Sequence, residues 1–454
     1  MGFAGERQIN TEERTAAPSG LRRGACPTLA APMVTGDGLL ARLRPAGGAL
    51  SLAQFKALAA SAAANGNGLL EITARGNLQI RGLLTESVEK LAADIDAAGI
   101  IVPAGPAIEL SPLHGIDPSV AGNATALEAK LRDELSATLS SPRLAPKLSI
   151  VVDSGGRFSL SGLAADIRAV AMDDGRWLVA IDGDGMTAQP VSVGSANDAV
   201  RAIGQLLETL AEAGLHARAR DIRTAVLQEA FPAGAAHFAA LTRAEMPQPG
   251  IHELAVGSFT LGLRPRFGQM QAADLSALLQ EAERLGGAEI RLAPGRLFFI
   301  TGLEPENAKK LRAASTRHGF SSDPSEASAK IAACAGAGAC ASGFYETRAL
   351  AQDLLQRAEI LLEGSLTVHL SGCTKGCAHP WPALTLTGVP GGYGIVLNGR
   401  ANDRPDVTIA GGEINLAIEK LARLIGKNKS AGESAAACLA RLGAPAIAAA
   451  LRQE

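Results

Sequence analysis

Two stretches of the chain, 220 residues apart, share one pattern of apolar and polar positions. The run LRPAGGALSLAQFKALAA from Leu43 aligns with LRPRFGQMQAADLSALLQ from Leu263, and EITARGNLQIRGL from Glu71 aligns with RLAPGRLFFITGL from Arg291, without a gap. In each copy the pattern predicts a strand, an amphipathic helix and a second strand. The unbroken register favours a duplication over chance similarity between two common units of this type.

The helix of the first copy has clear start and stop signals. Ser51 followed by Gln54 is a capping-box pattern, and Gly66 and Gly68 follow the last apolar position. After these glycines the sequence predicts one strand, running from Leu69 to Leu83.

The two copies differ on one face of that predicted strand. Side chains two residues apart in a strand share a face, and four such positions are polar or basic in the first copy. Arg75, Asn77, Gln79 and Arg81 become Gly295, Leu297, Phe299 and Thr301 in the second copy. A binding face for an anion explains this difference, and a solvated edge strand is the alternative.

The rest of the chain predicts an α/β (α+β) fold in which the duplicated halves form one domain beside two further α/β domains. The segments PKLSIVVDSG and RWLVAIDGDG predict buried strands. Further helices are predicted near 124–139, 197–215, 346–362 and 413–425, with strands at 366–371 and 383–388. The predicted boundaries are a flexible segment 1–35, a first repeat 36–104, a central domain 105–250, a second repeat 251–325 and a C-terminal domain 326–454 ending in a helical tail.

Composition and charge narrow the possible partners. The formal net charge is -2 over 454 residues, whereas nucleic acids and anionic membranes attract a basic excess, so neither is expected as a partner. The polar start lacks the apolar run of a signal peptide, and no segment reads as a membrane span. We therefore expect a cytoplasmic protein.

Four of the six cysteines form a constellation. Cys334 and Cys340 have C-x5-C spacing, and Cys373 and Cys377 have C-x3-C spacing. Four thiolates can hold a tetrahedral zinc or a cubane iron–sulfur cluster. The first spacing is too wide for a typical zinc knuckle, and the small residues around each pair give a bulky cluster room. A 4Fe-4S cluster is the favoured interpretation, with zinc and unrelated thiols as alternatives.

These segments resemble those of the siroheme-type sulfite and nitrite reductases. The resemblance rests on SGCTKGC, CAGAGACASGFYETR, the T-x-R strand in TARGNLQIRG and the lysine-bearing segment APKLSIVVD. It covers about residues 36–400. It implies paired ferredoxin-like halves and a cluster domain, with Arg75 and Lys147 at positions where the reductases hold a small anion.

Several departures point to another branch of that family. The segment LSPLHGIDPSVAG offers no arginine, Ser149 replaces a second lysine, and His379 stands where the reductases have Arg or Gln. The segments RRGACP around Cys26, MVTGDGLLARLRP and VHLSGCTKGCAHP instead resemble the oxygen-dependent cobalamin-biosynthesis branch.

That resemblance implies hydroxylation of the tetrapyrrole precorrin-3A with dioxygen and two electrons. The sequence shows no nicotinamide or flavin fingerprint, so the electrons are expected to come from an external donor. A carboxylate-rich substrate needs basic and polar side chains, for which the candidates are Arg44, Arg75, Gln79, Arg81, Lys147 and Arg264, with Arg42 nearby. The resemblance also implies a non-haem iron, with His114, His369 and His379 as candidate catalytic ligands, although a lone histidine is more often structural. The alternatives are an assimilatory siroheme reductase, in which Cys377 would bridge the cluster and the haem, and a non-catalytic iron–sulfur scaffold.

Overall fold

The computed structural model describes residues 27–232, 246–379 and 381–452. Four principal sheets organise these residues. Two belong to the duplicated halves, one to a central domain and one to a C-terminal domain. The segment around Cys26, which carries part of the family resemblance, lies outside the described residues.

The first half contains five strands and two helices in an antiparallel α/β arrangement. Ser51 caps the first helix through the predicted capping box with Gln54. The elements are β1 (Met33–Thr35), β2 (Gly38–Leu43), β3 (Ala49–Ser51), α1 (Leu52–Asn65), β4 (Leu69–Ile72), β5 (Leu78–Leu83) and α2 (Thr85–Ala97).

The predicted single strand from Leu69 to Leu83 is wrong. It is an antiparallel hairpin of β4 and β5, in which Ile72 pairs with Leu78. The turn needs Gly76, whose φ is 80°, because an added Cβ would lie 2.8 Å from the Ala293 backbone. Periodicity missed the turn because apolar alternation continues on both sides of it.

The second half repeats the order of the first half. Its elements are β11 (Gly250–Ala255), β12 (Ser258–Pro265), β13 (Gln269–Gln271), α7 (Ala272–Arg284), β14 (Glu289–Ala293), β15 (Leu297–Leu303), α8 (Pro305–Arg317) and β16 (Phe320–Ser321).

The two halves exchange a short strand. β3 of the first half pairs with β14 of the second, where Leu50 faces Ile290. β13 of the second half pairs with β4 of the first, where Met270 faces Leu70. The side chains of all four residues are buried in one shared hydrophobic core. Each sheet is therefore completed by the other half, and the two halves form one domain.

The central domain is a five-stranded mixed sheet covered by helices, in the strand order β10-β9-β8-β7-β6. Both strands predicted from PKLSIVVDSG and RWLVAIDGDG are present, as β7 and β9. The elements are β6 (Ala107–Leu110), α3 (Ala124–Glu134), α4 (Ser136–Leu139), β7 (Ser149–Asp153), β8 (Ala165–Ala171), β9 (Trp177–Gly183), β10 (Gln189–Gly194), α5 (Ala196–Ala213) and α6 (Thr224–Ala230).

The C-terminal domain has a second mixed sheet, in the order β17-β18-β19-β20-β21. The helix predicted at 346–362 is shorter, because the α-helix ends at Arg357 and a 3-10 turn follows at Glu359–Leu362. The elements are β17 (Ile331–Ala333), α9 (Thr347–Arg357), β18 (Val368–Ser371), β19 (Ala383–Val389), β20 (Gly392–Gly399), β21 (Val407–Ala410), α10 (Ile414–Asn428) and α11 (Ala435–Arg452).

The last helix corrects the expectation that no segment reads as a membrane span. α11 is 18 residues long, and by length and hydropathy alone it could cross a membrane. It bends at Gly443 and Pro445, and its Cys438, Ile447 and Leu451 side chains are buried in the core of the C-terminal domain. In this structure α11 is a helix of that domain's outer layer.

The same sheet face is filled in one half and open in the other. In the second half, Phe299 stacks on Phe158 of the central domain, with ring centroids 5.3 Å apart, and Leu297 joins the same small core. In the first half the corresponding positions are Asn77 and Gln79, which line a cavity. At these two positions the first half borders a cavity, whereas the second half packs against the central domain.

The strand exchange generates a stability prediction. Leu50→Ala and Met270→Ala should each lower the free energy of unfolding by about 2 to 5 kcal/mol, because each removes a buried side chain at the exchange. Urea denaturation followed by circular dichroism measures this. Val256→Ala, at a fully exposed position, is the control and should change stability by less than about 0.5 kcal/mol. Exchange-strand variants as stable as this control would contradict the interlocked core.

Candidate functional site

The two cysteine pairs follow neighbouring parallel strands. β17 ends at Ala333 and β18 ends at Ser371, and the two strands pair in parallel. The carboxyl ends of parallel strands lie at the same sheet edge, so the loops carrying Cys334 and Cys373 are side by side. The Cys334 amide donates to the Leu370 carbonyl oxygen at 3.1 Å, which fixes the start of the first loop.

Glycines let the two loops pack tightly. The Gly372 amide donates to Cys334 Sγ at 3.1 Å. A Cβ on Gly372 would lie 3.2 Å from the Gly336 Cα and 3.3 Å from the Gly343 Cα, so a larger residue would push the loops apart. Amide donors to cysteine sulfur and small neighbours are what an iron–sulfur cluster requires of its surroundings.

The four sulfurs lie close enough to influence one another electrostatically. Partial burial, followed by the neighbouring sulfurs of Cys334, Cys373 and Cys340, raises the pKa of the solvent-accessible Cys377 thiol. Within the described ranges, no three His, Cys, Asp or Glu side chains are placed to hold a single metal ion. A tetrahedral zinc with Zn–S bonds of about 2.3 Å would need such convergence, whereas a cubane spreads its ligands. Four cysteines on two adjoining glycine-rich loops are a donor set that could hold an iron–sulfur cluster.

The first cysteine loop contacts the first half of the duplicated domain. Arg81 of β5 donates to the Ala339 carbonyl oxygen. A Cβ on Gly36 would lie 3.0 Å from the Cys340 amide, so the turn between β1 and β2 touches the loop directly. Arg348 of α9 also pairs with Glu71 of β4 at 2.8 Å. The cysteine site is thus positioned against the open sheet face.

Two adjoining cavities lie at this junction. The cluster-side cavity, about 350 Å³, is bounded by Cys334, Cys340, Cys377 and the open face of the first half. The histidine-side cavity, about 570 Å³, is bounded by His379 and Trp381 together with residues of the central domain and the second half. Arg75, Phe267 and Arg296 are among the residues that line both cavities. Because they share these side chains, the two cavities adjoin each other. We refer to the two cavities together as the cleft.

Two of the predicted substrate-binding arginines are paired to one carboxylate. Glu109 of β6 accepts from Arg44 Nη2 at 2.9 Å and from Arg75 Nε at 2.8 Å. Arg75 also donates to the Ala164 carbonyl oxygen at 2.8 Å. Arg75 lines both cavities, whereas Arg44 lines neither and faces a separate groove. Through its ion pairs with these two arginines, Glu109 joins the central domain to the first half.

The other polar residues of the predicted face also have partners. Arg81 is buried and pairs with Asp37 at 2.9 Å. The Gln79 amide, oriented to satisfy its neighbours, donates to Glu71 at 3.1 Å and accepts from Arg42 at 2.7 Å. Arg75 precedes β5 and Gln79 and Arg81 lie on it, and all three line the cluster-side cavity.

The last two predicted basic residues have different positions. Lys147 is exposed in the turn before β7 and lines neither cavity, so the structure does not bring it to the cleft. Arg264 lines the histidine-side cavity, and its Nε donates to the Gly295 carbonyl oxygen at 3.2 Å. Burial, followed by the nearby Arg296 charge, lowers the pKa of Arg264, and no carboxylate of the described residues pairs with it.

His114 has a structural environment. It is buried, with Nδ1 at 2.8 Å from Thr125 Oγ1 and Nε2 at 2.9 Å from the Gly47 carbonyl oxygen. Arg291 also approaches Nε2, at 3.0 Å. Both ring nitrogens are thus occupied, and His114 lies apart from the cysteine loops.

His369 and His379 lie together behind the second cysteine pair, with ring centroids 5.7 Å apart. His369 is fully buried on β18, and no described residue forms a hydrogen bond with its Nε2. Burial, followed by the charges of His379 and Arg296, lowers the pKa of His369 to about 4. Burial and Arg296 also lower the pKa of His379, so both imidazoles are neutral at pH 7. The described residues supply no third protein ligand here, so these two side chains do not by themselves complete an iron site.

Sequence reasoning missed several residues that build the cleft. Asp37, Glu71 and Glu109 neutralise the arginines, and Glu109 comes from another domain, so no local pattern could reveal its pairing. Arg296 was detectable, because the 220-residue alignment places it opposite Gly76.

Comparisons with known proteins agree with this architecture. Residues 31–98 match the family model described as the nitrite/sulfite reductase ferredoxin-like half domain. A precorrin-3B synthase from Sinorhizobium sp is 44% identical over 437 residues, which is 95% of this chain and 95% of that protein. A ferredoxin–nitrite reductase from Synechococcus elongatus is 26% identical over 76% of this chain and 75% of its own length.

A solved structure is similar over most of the chain. The Mycobacterium tuberculosis NirA protein aligns with a TM-score of 0.67 and 20% identity, covering 90% of this chain and 84% of that one. The predicted fold class is confirmed. From the 44% identity over nearly the whole length of both proteins, the chain belongs to the precorrin-3B synthase family, enzymes of cobalamin biosynthesis built on the nitrite and sulfite reductase fold.

Proposed function

We propose that the chain hydroxylates precorrin-3A with dioxygen, giving the hydroxy-lactone precorrin-3B, and that it uses a 4Fe-4S cluster held by Cys334, Cys340, Cys373 and Cys377. The observation that carries this proposal is the position of the cysteine site, because three of these cysteines border a cleft rich in guanidinium groups. A polycarboxylate and an electron-transfer group could meet there.

The reaction sets what the cleft must do. One oxygen atom of dioxygen enters the substrate at the meso carbon between rings A and D, and the other leaves as water with two electrons and two protons. An acetate side chain on ring A then closes the lactone. The substrate must therefore be held by its carboxylates, with one carbon fixed and one acetate near that carbon.

Guanidinium groups suit this task because each can bind a carboxylate through two parallel hydrogen bonds. Arg75 and Arg264 line the cleft and are our proposed substrate-binding residues, with Gln79 and Arg81 on the wall behind. Arg44 contributes indirectly, by sharing Glu109 with Arg75. Phe267 supplies an apolar surface against the macrocycle.

A cluster held by Cys334, Cys340, Cys373 and Cys377 would supply single electrons to the reaction in the cleft. An external donor must deliver them, and the cysteine site is open on its outer side, where Lys375 is exposed and Phe344 is 54% exposed. Its inner side faces the cleft. This geometry suits a relay between a docked donor and the substrate.

His379 is our proposed proton acceptor. It lines the histidine-side cavity, where a neutral imidazole can accept a proton at a ring nitrogen. A second, non-haem iron would need ligands beyond His369 and His379, and we assign no step to it.

Removing one cysteine ligand should abolish the cluster. We expect Cys373→Ser to lose most acid-labile sulfide and the EPR signal of the reduced protein, because its thiolate is one of four ligands. Cys438→Ser is the matched control, because this thiol is buried in the core of the C-terminal domain. Full sulfide content in Cys373→Ser would contradict the ligand assignment.

The proposed reaction is tested with isotopic dioxygen. Given precorrin-3A, ¹⁸O₂ and an artificial electron donor, the protein should place one labelled oxygen in the product hydroxyl. A hydroxyl labelled from water, or robust turnover of sulfite or nitrite, would overturn the proposal in favour of a siroheme-type reductase.

A further inference from the structure

Three residues other than glycine have a positive φ among those that the structure describes, and two of them face the cleft. They are Phe267 at 55° and Arg296 at 63°. Side chains strain the backbone in this region, so such positions usually hold glycine. A strained residue that persists beside a cavity is a sign of a functional requirement.

The duplication supplies an internal reference for both positions. Shifted by 220 residues, Phe267 corresponds to Gly47 and Arg296 corresponds to Gly76. Gly47 and Gly76 have φ values of 62° and 80°, so both copies have a left-handed φ at these two positions. The second half therefore keeps the left-handed turns but carries side chains on them.

Packing accounts for the side chain of Phe267. Its ring is 8% exposed and belongs to the hydrophobic core of the C-terminal domain. Burial of an aromatic ring offsets the backbone strain and anchors the second half to that domain.

Packing does not account for Arg296. Its Nη2 donates to the Ala378 carbonyl oxygen at 3.1 Å, and no carboxylate of the described residues lies within 4.0 Å of the guanidinium. Arg75 and Arg81, which line the same cleft, are each paired with a carboxylate. Glu71 is the acidic group that most influences Arg296, but Glu71 is already paired with Arg348 and Arg81.

The position of Arg296 suits a ligand. Its side chain lies on Gly268, where an added Cβ would be 2.9 Å from Nη1, so the glycine makes room for the guanidinium. It lines both cavities, and Cys334 and Cys377 line the cluster-side cavity beside it. Arg264, also without an ion pair among the described residues, lies in the histidine-side cavity.

We propose that Arg296 is the principal carboxylate-binding residue of the cleft, and that it holds one carboxylate of the tetrapyrrole where the two cavities meet. This inference rests on the proposed function and deepens it. The second half would then recognise the substrate, through a turn position at which the first half has a glycine.

The test uses uroporphyrin, a tetrapyrrole with eight carboxylates, as the probe. The chain has two tryptophans; Trp177 is buried in the central domain, and Trp381 lines the histidine-side cavity, so quenching of Trp381 fluorescence reports binding. Arg296→Gln and Arg296→Gly should each bind the probe about 10- to 100-fold more weakly than wild type, the usual range for loss of a charge-assisted hydrogen bond. Arg143→Gln, at an exposed turn position, is the charge-matched control and should bind normally.

The two Arg296 variants also separate binding from a structural role. Arg296→Gly relieves the strained backbone, so its melting temperature should equal or exceed that of wild type, with unchanged iron and sulfide content. A lower melting temperature or loss of cluster in Arg296→Gly would mean that the bond to Ala378 is structural, and would overturn the inference. Wild-type affinity for the probe in both variants would also overturn it and leave the proposed function intact. Failure of the wild-type protein to bind uroporphyrin and precorrin-3A would instead refute the proposed function itself.

Discussion

Burial of positive charge at the domain junction is the constraint on which the rest of the structure depends. Guanidinium groups from three sequence regions meet in one cleft, where desolvating a charge is costly unless a partner neutralises it. Glu109, Asp37 and Glu71 supply that neutralisation, and each of these carboxylates joins an arginine from a distant segment of the chain. The ion pairs of Glu109 and Glu71 therefore join the first half to the central and C-terminal domains. Arg264 and Arg296 lie at the side of the cleft where this neutralisation is missing.

The duplication explains how the same sheet face is packed in one half and lines a cavity in the other. The exchanged strands β3 and β13 make the two halves mutually dependent, so the backbone of each half is fixed by the other. With the backbone fixed, side chains could diverge without loss of the fold. Phe299 fills the face of the second half, whereas Gln79 leaves the face of the first half open beside the cysteine loops. At the hairpin turn, the arginine and the glycine exchange places between the halves. Arg75-Gly76 in the first half corresponds to Gly295-Arg296 in the second half.

Local sequence signals predicted much of this architecture. The repeat, the capping box at Ser51 and the grouping of four cysteines all depend on residues near one another in sequence or on a fixed offset. The hairpin at Gly76 was missed because the alternation of apolar and polar residues continues in register through the turn. The pattern therefore does not mark where one strand ends and the next begins. The ion pairs of Glu109 were missed because they form between domains, so the predicted arginines could be located but their partners could not. Lys147 lies outside the cleft because it is in the exposed turn that precedes β7, and not on the strand itself.

The cysteine site and the proposed substrate-binding cleft should behave as one site. The EPR spectrum of the reduced cluster, recorded with and without saturating precorrin-3A under anaerobic conditions, measures whether they do. Because Cys334, Cys340 and Cys377 border the cluster-side cavity, a bound tetrapyrrole should shift the g values of the cluster. An unchanged spectrum, in a sample where substrate binding is demonstrated independently, would show that the two sites are separate.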